Sequence, residues 1–253
     1  MTEELKVPAL TKAMQIINFI AKRKKCYARE ILNETKISRS SMYTIINDLM
    51  SHGLIRQNGD GAYMLWTKFI ELGNVANEGL DLGELVRPHL QTLMEETHSL
   101  SVYFGVIDND KGYFLEKLSN EHMAIRTKAI VGAQVDFVHA GIGKALLANL
   151  PDEKIQAIMP TLDFTPITAH SILTPELLYE EIAKIRKRGW SFNDSEDDEC
   201  MRSIGVPVFH RDGRLFGAVS SVGTIVQFVD KKIDKLVERT ISCARAIEKE
   251  LVN

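Results

Sequence analysis

Residues 28–65 constrain the chain most, because the hydrophobic period changes there from helical to extended within a segment too short for more than one small unit. Ala28–Glu34 sets Ile31 and Leu32 inward on a short helix, and Thr35–Ile37 reads as a turn. Ser38 offers an N-cap hydroxyl to a third helix running from Arg39 to about Ser51, with Gly53 just beyond its end. Upstream, Leu10, Met14, Ile17, Phe19, Ile20 and Ala21 mark one broad face of an amphipathic helix over Ala9–Arg23. Downstream, Leu54–Arg56 and Ala62–Leu65 are extended runs flanking Asn58-Gly59-Asp60-Gly61, a composition that accepts positive φ and closes hairpins. Three short helices, the last two separated by a tight turn and followed at once by a hairpin, predict a winged helix-turn-helix over residues 1–65.

Charge divides along the same line. Residues 1–74 hold 11 Lys/Arg against 7 Asp/Glu, a net of +4, whereas the remainder carries −7. A basic end suits nucleic-acid contact confined to that end, since phosphate contacts supply most non-specific affinity. No run approaches the roughly 20 apolar residues of a membrane span. The first residues are acidic and polar where a secretory leader is basic and then apolar, so a cytoplasmic protein with no membrane partner is expected. Cys26, Cys200 and Cys243 have no CxxC or Cys/His ligand spacing, and neither a metal nor a cofactor is expected.

The helical pattern returns over Trp66–Asn77, where Phe69, Ile70, Leu72, Val75 and Ala76 give an apolar surface wider than one face. Residues 66–82 are therefore expected to form a helical linker that packs on the winged helix and on a second copy of the chain. Another helix follows over Leu82–Thr97. Strand-like runs then occur at Ser99–Ile107, Lys111–Leu118, Met123–Lys128, Trp190–Asn193, Met201–Phe209 and Leu215–Val222, with helices over Ile142–Leu150, Pro175–Gly189 and Asp230–Leu251. Turns at 108–110 and 210–213 join neighbouring strands. Consecutive strand pairs beside helices predict an antiparallel α+β domain over residues 83–253.

On the third helix Met42, Ile45, Ile46, Leu49 and Met50 take the inner face. That leaves Arg39, Ser40, Tyr43, Thr44 and Asn47 outward with Ser41 beside them, polar and basic groups suited to base edges and phosphates in a major groove. Arg56 on the hairpin is placed to meet backbone or minor groove. In the larger domain Gly141 and Gly143 permit close backbone approach, and the amides opening the helix at Ile142 offer a site to a carboxylate.

Val7–Ile20, Ile37–Ile55 and Leu65–Gly73 resemble the IclR family of bacterial transcriptional regulators, and the resemblance continues through Val86–Thr97, Gly141–Pro151 and Glu181–Phe209, nearly the whole chain in order. It implies a sequence-specific DNA-binding regulator, commonly a repressor, acting as a dimer or dimer of dimers on a double-stranded operator. It also implies a GAF-like C-terminal domain whose pocket takes a small organic acid effector. Carried over position by position, that pocket would contain Gly141, Ile142, Asn193, Ser203 and Ser220. Asn193 stands where some family members carry Asp, Ser203 where Cys is common, Val222 in place of a second Ser, and Thr44 where Arg is usual. The polar set implies a hydroxylated or sugar acid as effector.

Chemical rivals fare worse. Gly141–Lys144 is not a phosphate-binding loop, because the position five before its final glycine is Val138 and Ala145 follows the lysine. Cys200 with His139 as base would make a small-molecule hydrolase, and Asp194–Glu199 would make a carboxylate cluster. The sequence gives the cysteine no activating context, and six-residue acidic runs are usually solvated loops, so no enzyme activity is expected.

Overall fold

The structure, a computed structural model, describes residues 7–78 and 82–251, which form two compact units, one ending at residue 78 and the other starting at residue 82. The expected linker span of 66–82 includes residues 79–81, which lie outside the described residues.

The first unit contains α1 (Pro8–Arg23), α2 (Ala28–Thr35), α3 (Arg39–Ser51), β1 (Ile55–Gln57), β2 (Tyr63–Leu65) and α4 (Thr67–Glu78). Ile16, Ile20, Ile31, Met42 and Ile46 are wholly buried where the three helices meet, and Ile55 and Tyr63 close the cluster from the hairpin. The turn residues act as their composition predicts: Asn58 Oδ1 accepts from Ala62 N at 2.9 Å, and Gly61 takes φ 83°. Two backbone bonds between Cys26 and Tyr63, 2.8 and 3.1 Å, tie the hairpin to the α1–α2 connection. Ser38 occupies the N-cap of α3, yet its hydroxyl makes no capping bond and donates to Ser41 Oγ at 2.9 Å.

The second unit contains α5 (Leu82–Thr97), β3 (Ser101–Asp108), β4 (Lys111–Ser119), β5 (Gln134–Val135), α6 (Gly141–Ala148), α7 (Asp152–Ile158), α8 (Pro175–Arg188), β6 (Ser191–Asp194), β7 (Met201–Phe209), β8 (Leu215–Thr224) and α9 (Asp230–Glu250). Its strands make one antiparallel sheet in the order β5-β4-β3-β8-β7-β6. Alternation along β3 sends Val102 and Phe104 into a core with α5 and α9, and Tyr103 into a core with α6 and α8 on the opposite face. The expected α+β class is the observed one. Among the described residues no helix is long and apolar enough to cross a membrane.

Two elements depart from expectation. Met123–Lys128 is not a strand but part of a loop whose carbonyls are taken by side chains. Lys117 Nζ donates to Thr127 O and Ala129 O at 3.1 and 2.6 Å, and Arg126 Nη1 to Asn120 O at 2.5 Å. The edge strand is instead the two-residue β5, paired with Gly112 and Tyr113 of β4. The unforeseen α7 has seven residues, too few to display a helical period.

Candidate functional site

The residues singled out in the sequence fall on two surfaces, one in each unit. On α3, Met42, Ile46 and Leu49 are buried, which turns Arg39, Ser40, Tyr43, Thr44 and Asn47 to solvent, with Ser41 half-buried. The Arg39 guanidinium stands 5.9 Å from the centroid of the Tyr43 ring, one turn on, and Thr44 Oγ1 donates back to Ser40 O at 3.1 Å. Arg56 lies on β1, exposed, with its guanidinium stacked 3.5 Å from the centroid of Trp66. Lys25 and Asp60 form an ion pair at the hairpin tip.

In the second unit, sheet register builds a cavity. Asn193 of β6 lies opposite Ser203 of β7, which lies opposite Val222 of β8. Two residues along, Gly205 lies opposite Ser220, and Ser220 opposite Tyr103 of β3. A two-residue step keeps both rows on one sheet face, the face under α6. The helix packs tightly on Gly205, where a Cβ would sit 2.5 Å from Gly141 O. Between the start of α6 and these rows is a cavity of about 150 Å³.

All five residues assigned to the pocket line this cavity: Gly141, Ile142, Asn193, Ser203 and Ser220. Tyr103, Phe114, Met201 and Val222 supply apolar wall, and Arg126, Thr127, Lys128, Asp197 and Asp198 add polar groups that the sequence reading missed. The amide of Gly141 donates to Ser203 Oγ at 3.3 Å, because a buried N–H needs a partner. Asn193 is also engaged, its Nδ2 donating to Asp197 Oδ1 at 2.6 Å and its Oδ1 accepting from Glu196 N at 2.8 Å. Crowding by protein around the Asp197 carboxyl raises its pKa, with the Asn193 hydrogen bond opposing and the Asp136 and Asp198 charges adding to the rise.

The acidic run is solvated at Asp194, Asp197 and Glu199, as expected, but not at its second and third residues. Ser195 and Glu196 are buried, and Glu196 pairs with the wholly buried Lys144 of α6. Cys200 and His139 form no dyad: His139 is buried with its ring nitrogens on Asp136 Oδ2 at 2.9 Å and Ile172 O at 3.2 Å, while the exposed Cys200 lies off the cavity lining. No group of three or more His, Cys, Asp or Glu able to hold a metal occurs among the described residues.

The family model for the IclR helix-turn-helix domain matches residues 9–59, and that for the bacterial transcriptional regulator IclR C-terminal domain matches residues 75–249. The HTH-type transcriptional regulator RhmR of Escherichia coli, itself described as uncharacterized, is 36% identical over 99% of this chain and 96% of its own. The Transcriptional repressor IclR of Escherichia coli is 24% identical over 95% and 89% of the two chains. Among solved structures, an IclR homolog complexed with 4-hydroxybenzoate from Microbacterium hydrocarbonoxydans superposes with a TM-score of 0.78 at 19% identity, covering 95% of this chain and 98% of the other.

Proposed function

The chain belongs to the IclR family of DNA-binding transcriptional regulators, and on that premise we propose that it represses its target genes through a winged helix at residues 1–65 whose operator affinity is set by a small hydroxylated carboxylate bound in the cavity beneath α6. The observation that carries this reading is the convergence of Gly141, Ile142, Asn193, Ser203 and Ser220, from α6 and three strands, on one cavity. A cavity of about 150 Å³ has the size that holds a benzene ring in an engineered protein, which suits a small ligand. The 4-hydroxybenzoate of the structural neighbour, a hydroxylated carboxylate of that size, supports the class. The name of the Escherichia coli repressor supports the sign of regulation.

Arg39, Ser40, Ser41, Tyr43, Thr44 and Asn47 read the major groove, and Arg56, held over the Trp66 ring, meets backbone or minor groove. Helix α4 belongs to a linker at 66–82 that joins two copies, so a ligand that favours one arrangement of the GAF-like domain changes the spacing of two winged helices. Such coupling is worth about 1–3 kcal/mol, the ligand's differential affinity for the two arrangements. In vitro selection from genomic fragments identifies the operator, and calorimetry with 4-hydroxybenzoate and with aliphatic hydroxy acids identifies the effector. Ser203→Ala and Ser220→Ala are expected to weaken ligand binding while leaving ligand-free operator affinity intact. Parent-like ligand affinity in both variants would remove the cavity from the mechanism.

A further inference from the structure

Every residue of α6 is buried, and one of them is a lysine. Lys144 Nζ donates to Phe192 O at 2.6 Å and to Glu196 Oε1, joining the helix to β6 and to the loop that follows it. Glu196 is the centre of that loop's hydrogen bonding. Its Oε1 also accepts from Asp194 N at 3.4 Å, its amide donates to Asn193 Oδ1 at 2.8 Å, and its carbonyl accepts from Ser171 Oγ at 2.8 Å. Asn193 in turn holds Asp197 at 2.6 Å, and both line the cavity.

The pair is a poor device for stability alone. Desolvating two charges offsets most of their attraction, and well-packed apolar replacements of buried pairs are often neutral or stabilising. Burial pushes Glu196 up, and Lys144 cancels only part of that rise. Glu196 Oε2 is buried with no hydrogen-bond partner among the described residues. What the pair does supply is a fixed distance between the two walls of the cavity, α6 and the 193–198 loop.

We propose that Lys144 and Glu196 are positioning residues for the effector cavity, clamping the 193–198 loop to α6 so that Asn193 and Asp197 face a bound ligand; this rests on the cavity being the effector site. The full chain is compared with Lys144→Met, Lys144→Met/Glu196→Met and Glu196→Gln by thermal unfolding, by amide hydrogen exchange over residues 193–198, and by NMR titration of the Asp197 carboxyl. The single lysine variant leaves Glu196 buried without its cation and is expected to lose several degrees in Tm. The double variant regains them, yet its loop amides exchange roughly tenfold faster than the parent's, and Asp197 titrates closer to the ordinary carboxylate range. Glu196→Gln preserves shape but leaves the buried Lys144 ammonium without its anion, so it also loses several degrees in Tm, and it shows the same two changes to a smaller degree. Parent-like exchange and parent-like Asp197 titration in both Glu196 variants would overturn the inference. None of these readouts needs a ligand, so their failure is distinct from failure of the Ser203 and Ser220 calorimetry.

Discussion

Arg39 and Tyr43 stand one turn apart on α3, exposed and within cation–π reach of each other, so either can be removed without opening the core. Arg39→Ala is expected to weaken operator binding by about 1–3 kcal/mol if the guanidinium meets a base edge, with the urea midpoint unchanged. Fluorescence anisotropy on the selected operator measures it, and full affinity in both Arg39→Ala and Tyr43→Ala would place the reading face elsewhere. A second residue-scale expectation concerns the His139–Asp136 pair beside α6. Burial alone would lower the His139 pKa, but the hydrogen bond and charge of Asp136 outweigh it and the net shift is upward. For Asp136 the burial penalty is likewise outweighed by its bonds to His139 and to the Val138 amide, and the net shift is downward. A raised histidine stabilises the fold below its ordinary value of about 6.5 and loses that contribution as pH rises through the folded value. A lowered aspartate contributes above about 3.9 and is lost as pH falls through its folded value. The pair is therefore worth most at about pH 4–6.5, and the parent's stability advantage over His139→Gln in urea should be larger at pH 5.5 than at pH 8.5. An advantage that does not shrink with rising pH would mean the histidine stays neutral.

At the scale of elements, α6 lies against the rest of its unit through backbone contacts that only glycine allows. A Cβ at Gly143 would sit 1.8 Å from Asp136 O and 3.0 Å from Phe137 Cα, and neither backbone atom can yield without moving the strand end that precedes it. Gly143→Ala should thus cost at least the upper part of the roughly 1–3 kcal/mol typical of overpacking, whereas Gly59→Ala, with open space around it, should leave the urea midpoint unchanged. Equal stability of the two variants would mean that α6 can shift on the sheet. Legibility follows the range of the interactions involved. The winged helix could be read because its evidence is local: helical periods in α1 to α3 and an Asn-Gly-Asp-Gly turn between short strands. Strand-like runs likewise revealed β3, β4, β6, β7 and β8. The cavity was legible only in part, because Tyr103, Asp197 and the 126–128 loop reach it through strand register and side-chain bonds that local spacing does not encode. The burial of Glu196 within the acidic run was hidden for the same reason, since the lysine that pairs with it is 52 residues away.

At the scale of the whole molecule, α4 poses the question of what covers it. Phe69 packs on the winged-helix core, but Ile70 and Val75 remain 65% and 61% exposed, and Leu72 is exposed as well. These side chains point in more than one direction around a short helix, and at about 25 cal/mol per Å² of apolar surface their exposure is expensive. A second copy of the same helix would bury them through a two-fold interface, each copy presenting the same patch. It would also carry two α3 helices to successive half-sites about 34 Å apart, which makes operator affinity depend on assembly. Sedimentation of the parent is expected to show at least a dimer at micromolar concentration. Ile70→Glu/Val75→Glu, substitutions of exposed residues that leave the winged-helix core intact, should shift it to monomer and lower operator affinity by roughly tenfold or more, because each winged helix then binds its half-site without the effective concentration of its partner. Retained dimers in that variant would move the interface off α4, and a monomeric parent with undiminished operator affinity would remove the paired-helix arrangement altogether.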